Sequence, residues 1–236
     1  MVGLEKHISS TDHKLAIKLQ VSSPARLTNR QIGLKDLASE YGWQYHSEVD
    51  HNVDNLQTFY FFKSRPIEYK ENCISGMDEG LYWELADVTF EEGAFMAVEE
   101  YNTTLGLIDL PYKMPKFVIE KKGKLGKYLD FKSYRDIDYV IYENFPENFR
   151  VKVEDKEEMK AFMSDELKGL IENSGIRHIE SNGDAILIFN DSLRFAQLKD
   201  YSKMLFFTEE LRKLIKKSKN GKKHSETNRS AEHSNP

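Results

Sequence analysis

The chain has 236 residues, 39% of them hydrophobic and 31% charged, with a formal net charge of −5. That length suits one large domain or two small ones, with enough apolar material for a packed core. No apolar run approaches the ~20 residues that cross a bilayer, and the opening stretch from Met1 to Lys14 lacks the apolar centre of a secretory signal. Cys73 is the lone cysteine, so an internal disulfide is excluded. A cytoplasmic location is the expectation.

Charge is unevenly spread. Residues 211–236 hold eight Lys/Arg (Arg212, Lys213, Lys216, Lys217, Lys219, Lys222, Lys223, Arg229) against two acids, whereas residues 1–210 hold 26 basic and 37 acidic side chains. An acidic body repels phosphate backbones and gives no strong nucleic-acid signal. Only the basic tail suits a polyanion or an anionic membrane surface, where each basic residue near the surface is worth about 1 kcal/mol.

Residues 1–30 read as an N-terminal arm or edge strand, with Leu15, Ile17, Leu19 and Val21 alternating with Ala16, Lys18 and Gln20. Leu34, Leu37, Ala38 and Tyr41 share one helical face, and Gly42 stands where a left-handed cap ends a helix. After Trp43 the pattern turns to β. Phe59 to Phe62 is aromatic-rich, Asn72 to Gly76 leads to a turn at Asp78-Glu79-Gly80, and Leu81–Phe90 and Phe95–Leu107 follow as longer strands. Pro111 and Pro115 precede a further strand at Phe117-Val118-Ile119. The middle of the chain therefore predicts an antiparallel meander, since it lacks the helix–strand alternation of a parallel sheet.

The last third predicts a strand at Phe149–Val153, and then a helix capped by Asp155, with Glu158 three residues on. Its apolar stripe is Met159, Phe162, Met163, Leu167, Leu170 and Ile171. Asn182-Gly183 predicts a type I′ hairpin between Ile176–Glu180 and Ala185–Phe189. An amphipathic helix over Tyr201–Lys217 closes the domain, and residues 218–236, which lack any large apolar side chain, predict a disordered tail. The fold class is α+β: one domain over residues 31–217, an antiparallel sheet packed against two or three helices.

Several of these stretches resemble a group of uncharacterised bacterial proteins known only as a domain of unknown function. They are Leu37-Ala38 before Tyr41-Gly42-Trp43, Asn72-Cys73-Ile74-Ser75-Gly76 before a strand, Pro115-Lys116-Phe117, the run Phe145 to Val151, and the Asn182-Gly183 hairpin. The resemblance spans residues 33–200. Some members carry N-terminal membrane helices or lie near LemA-type genes. It implies a shared fold and carries no catalytic residue over.

The sharpest enzymatic pattern is Asp109 followed by Glu120-Lys121-Lys122 at a strand end. In metal-dependent nucleases two such carboxylates hold a hard cation and the lysine, here Lys122, stabilises the attacked phosphate. Against it stand the two intervening prolines and the acidic body; a charged strand end explains the same residues. His46, Glu48, Asp50 and His51 could approach a divalent ion but lack a full ligand set, and a solvated loop accounts for them better. Cys73 has no neighbouring base to form a thiolate and reads as a buried strand cysteine. Gly123-Lys124-Leu125-Gly126-Lys127 departs from a phosphate-binding loop and reads as a turn. Glu84, Asp87, Glu91, Glu92, Glu99 and Glu100 could supply an acid pair, but an acidic sheet rim needs less. The aromatics at 59–62 read as core. No cofactor or resident metal is called for, and the reading that survives is a non-enzymatic binding or interaction module, with a hydrolase or nuclease built on Asp109, Glu120 and Lys122 as the alternative.

Overall fold

A computed structural model describes residues 27–48, 53–94, 97–122, 139–190 and 194–232, without the side chains of 94, 97 and 218–232. Its elements in chain order are helix α1 (Asn29–Glu40), strand β1 (Gln44–Glu48), a single turn of helix α2 (Asp54–Gln57), and the long strands β2 (Ile67–Asp78), β3 (Leu81–Ala94) and β4 (Ala97–Asp109). Then come β5 (Phe117–Lys121), β6 (Val140–Ile141), β7 (Phe149–Val153), helices α3 (Lys156–Phe162) and α4 (Asp165–Ser174), β8 (His178–Ser181), β9 (Ala185–Phe189) and helix α5 (Leu198–Glu232). All described strands join one antiparallel sheet in the order β1-β2-β3-β4-β9-β8-β5-β7-β6. The α+β class and the meander are as the sequence predicts.

The alternation of β3 explains why the sheet is covered on two sides. Leu81, Trp83 and Leu85 face a large core closed by the helices, into which α1 sends Leu34 and Ala38, α3 Met159, α4 Leu167 and Ile171, and α5 Tyr201, Met204, Phe207, Leu211 and Ile215. Val88 and Phe90 face the other way, into a smaller core with Leu105, Leu107, Leu187 and Phe189. That second core is closed by Leu56, Phe59, Phe61 and Phe62. A residue pair on β3 can be apolar on both faces only because each face has its own cover.

Four local expectations change. The stretch 59–62 is no strand: it is a series of turns after α2, with Phe59, Phe61 and Phe62 all buried on one side, which strand alternation would forbid. The helix over 156–171 breaks at Met163, because Ser164 accepts the Leu167 N–H and caps a second helix. The hairpin at Asn182-Gly183 is not type I′. Its two central residues are Gly183 and Asp184, since Asn182 N–H bonds the Ala185 carbonyl, and of these only Gly183 has a positive φ (96°), the II′ pattern. His46 and Glu48 lie on strand β1 and not in a loop. By contrast Glu79 (φ 51°) and Gly80 (φ 78°) make the expected turn between β2 and β3.

The strand expected near residues 15–21, the turn at 123–127, and Asp50 and His51 lie outside the described residues. The boundary expected at 217 divides α5. Its packing side chains run to Ile215, and the expected tail falls on the stretch whose side chains are not described. Among the described residues no helix is long and apolar enough to cross a membrane.

Candidate functional site

Among the described residues the second face of the sheet is covered by the aromatic segment over β3, β4, β9 and β8. Towards the β1 edge it stays open as a cleft of about 770 Å³, whose outer wall is Gln44, His46 and Glu48 of β1 and whose floor lies on β2 and β3. A β-bulge shapes that floor. Between Glu71 and Ile74 strand β2 holds one extra residue, and Asn72 adopts a left-handed backbone (φ 51°), which Asn tolerates better than most side chains. The extra residue resets the alternation, so that Asn72 points to the helical face while Lys70, Cys73 and Ser75 line the cleft.

At the floor Lys70 and Glu84 form an ion pair of 2.7 Å with side-chain exposures of 7% and 5%. Glu84 Oε2 also accepts from the Tyr82 hydroxyl (3.0 Å) and the Cys73 thiol (3.5 Å). Burial, then the neighbouring Glu84 charge, pushes both the Cys73 thiol and the Tyr82 phenol well above their ordinary range. Cys73 is therefore a hydrogen-bond donor at neutral pH and no nucleophile. At the rim, Glu48 of β1 lies directly opposite Glu71 of β2, and burial followed by Asp87 raises the Glu71 carboxyl.

Two further polar clusters are closed. Asp87, fully buried on the helical face, accepts from Arg30 Nε and Nη2 (2.8 Å each), Asn72 Nδ2 (3.0 Å) and Thr104 Oγ1 (2.5 Å). Arg30 and Thr104 also bond the Ala196 backbone, tying α1 and the entry to α5 onto the sheet. On the opposite face His178 bridges Glu120 (3.5 Å) and Glu180 (3.3 Å) and stacks on Phe189 at 4.4 Å. Burial disfavours the imidazolium, but the hydrogen bonds to Glu120 and Glu180 outweigh it and hold His178 above its ordinary pKa. Glu180 in turn accepts the backbone N–H of Tyr60 and of Phe61, fastening the aromatic cover to the sheet.

The structure separates the residues of the nuclease pattern. Asp109 lies beside Ala185 on β9, whereas Glu120 lies beside His178, in the row of Phe189 and Leu105. They are four residues apart along the strands and three strand spacings apart across them, roughly 13 Å and 14 Å. Lys122 is further still from Asp109. Asp109 instead borders a cleft of about 710 Å³ with Lys63, Lys116 and Asp184, where burial and then Glu84 raise its carboxyl. The acid group also divides: Glu84 faces the cleft, Asp87 the helices, Glu91 lies opposite Glu100 and Glu92 opposite Glu99. Among the described residues no three His, Cys, Asp or Glu side chains gather to hold a metal.

The tail is less free than its composition suggests. Arg212 bonds Asp78 at 2.8 Å and lies over the Trp83 ring, Lys213 meets Glu209 and Glu210, Lys216 bonds Asp78, and Lys217 meets Glu166 at 2.9 Å. Four of the eight basic residues thus serve the folded domain.

This architecture has been seen before. The chain is similar to the crystal structure of the mycobacterial trehalose monomycolate transport factor A, TtfA, with a TM-score of 0.53 and 10% sequence identity over 80% of this chain and 96% of that one. At that identity the likeness shows a shared fold. No family model and no curated protein matches the sequence, so the resemblance to a domain of unknown function gains no family from them. What sequence reasoning missed is the Lys70–Glu84 pair, the Arg30–Asp87 clamp and the His178 bridge; each joins residues distant in sequence, and only the register of the sheet brings them together.

Proposed function

We propose that this chain is a binding module without chemistry of its own, serving as an accessory to a transport process. One observation carries the reading: the buried groups that could attack a substrate or move a proton are engaged by neighbouring protein groups. Cys73 donates a hydrogen bond to Glu84, His178 is held between two glutamates, and Asp87 accepts four hydrogen bonds. A catalytic group needs a free face towards its substrate. TtfA, which shares the fold, is a transport factor; the class of role is carried over here, and not its cargo. We infer a cytoplasmic location, which a lone buried thiol suits, with the basic stretch beyond Lys217 as a weak contact with an anionic membrane surface.

Gene replacement in the host cell tests this. Asp109→Asn, Glu120→Gln and Cys73→Ala are each expected to support wild-type growth, and excess Mg²⁺ or Mn²⁺ is expected to leave the melting temperature unchanged. A variant that folds with wild-type stability yet fails like the deletion would overturn the reading, as would a cation-dependent rise in melting temperature that Asp109→Asn abolishes.

A further inference from the structure

We infer that the cleft between β1, β2 and β3 takes a neutral polyhydroxylated ligand, a sugar or a sugar head group. The inference rests on the binding-module reading and names the chemistry of its ligand.

The charges of the cleft disfavour an anion throughout and a cation at its deepest point. Its lining holds one lysine against three glutamates, Glu48, Glu71 and Glu84, so a phosphate or sulfate meets net repulsion. Its floor presents the Lys70 ammonium, which repels a cation from the deepest position. What remains is a neutral group able both to donate and to accept hydrogen bonds.

The floor and walls suit such a group. Lys70 carries three N–H donors and gives one to Glu84, so two remain for a ligand at the floor. Gln44 offers a donor and an acceptor at the outer wall, His46 a ring nitrogen, and Glu48 two acceptor oxygens. Each sugar hydroxyl donates once and accepts, matching this alternation. Tyr69, 42% exposed at the rim, offers a ring face against which the C–H face of a pyranose can lie. A peptide added along β1, the edge strand among the described residues, fits less well, because strand addition draws its specificity from pockets for alternate side chains and this wall is polar.

Calorimetric titration of the full chain with glucose, galactose, maltose and trehalose tests the site. At least one is expected to bind saturably, with a Kd on the order of millimolar for so open a cleft. Tyr69→Ala, a surface change that leaves the fold intact, is expected to weaken binding about tenfold. The double variant Lys70→Met/Glu84→Gln, which removes both charges together, is expected to abolish binding while the circular dichroism stays that of the parent. Glucose 6-phosphate and spermidine are expected to bind more weakly than the best neutral sugar. Octyl maltoside below its micelle concentration separates the sources: affinity equal to maltose points to a free sugar, and tighter binding to a glycolipid head.

Absence of saturable binding by every neutral sugar would overturn the inference, as would spermidine outcompeting them or binding unaffected by Tyr69→Ala and the double variant. Those results leave the binding-module reading standing on its own test. A bound sugar that mass spectrometry shows converted to a new product would sink the module reading and keep the site.

Discussion

Replacing Arg30 by Met should destabilise the fold far more than its surface position on α1 suggests. The change keeps the length of the side chain but removes the two 2.8 Å bonds to Asp87 and the bond to the Ala196 carbonyl. Asp87, with no exposed surface, is then left with Asn72 and Thr104, both neutral, as its side-chain donors. Breaking one side of a buried pair costs about 3–5 kcal/mol. Because the Arg30 side chain is 24% exposed, the lower end, about 3 kcal/mol, applies, still a large part of the 5–15 kcal/mol that typically holds a domain together. Thr104→Val removes one neutral donor and the acceptor of the Ala196 N–H, and should cost about 1–2 kcal/mol. Urea unfolding at neutral pH, followed by circular dichroism, ranks the two. The double variant Arg30→Met/Asp87→Leu should recover much of the loss, since no charge is left stranded. If Arg30→Met costs under about 1 kcal/mol, or the double variant is no better than the sum of its parts, the clamp is not what fixes α1 and α5 to the sheet.

The His178 bridge gives a pH dependence of definite sign. Its folded pKa lies above the unfolded value of about 6.5, so the stability it contributes is complete below about pH 6.5 and is lost as pH rises through the folded value; unfolding measured from pH 6 to 9 should show that slope, and His178→Gln should flatten it. Gly106→Val should cost about 1–3 kcal/mol by overpacking, because a Cβ there would sit 2.7 Å from Ile188 Cγ1, and a thermal melt checks it. Deleting residues 218–236 should leave the melting temperature unchanged and reduce co-sedimentation with anionic vesicles; a variant that binds vesicles like the full chain removes the membrane contact from the reading.

Much of the fold was legible because it depends on neighbours in sequence. The alternation of Leu81, Trp83 and Leu85 with Tyr82 and Glu84, the Glu79-Gly80 turn and the apolar face of α5 are each written in a short local stretch. Three features were not. The segment 59–62 reads as strand because Phe and Tyr favour strands, and the apolar face of β3, β4 and β9 decides that these aromatics fold over as a cover. The break at Met163 is carried by Ser164, whose capping competes with a continuous apolar stripe that favours one helix. The bulge at Asn72 has no composition signal, yet it decides which side of the sheet Lys70, Cys73 and Ser75 face. A one-residue error in alternation there would send the whole cleft floor to the helical face, so the site could not be read before the register was known.

The two faces of the sheet explain why the cleft lies where it does. On the helical face α1, α3, α4 and α5 close the surface, and Asp87 serves as the anchor that fixes two of them. On the other face the cover among the described residues is a short aromatic segment, held by Glu180 at Tyr60 and Phe61 and by Arg65, which reaches Glu92 at 2.9 Å. That cover spans the apolar middle, and the β1 end beyond it carries charged and hydroxyl-bearing side chains in place of apolar ones. Lys70, Ser75 and Glu84 are themselves buried at the cleft floor, and the Lys70–Glu84 pair keeps its shape without filling it. A scaffold of this kind can offer a preformed hollow to a polar ligand at little cost in reorganisation.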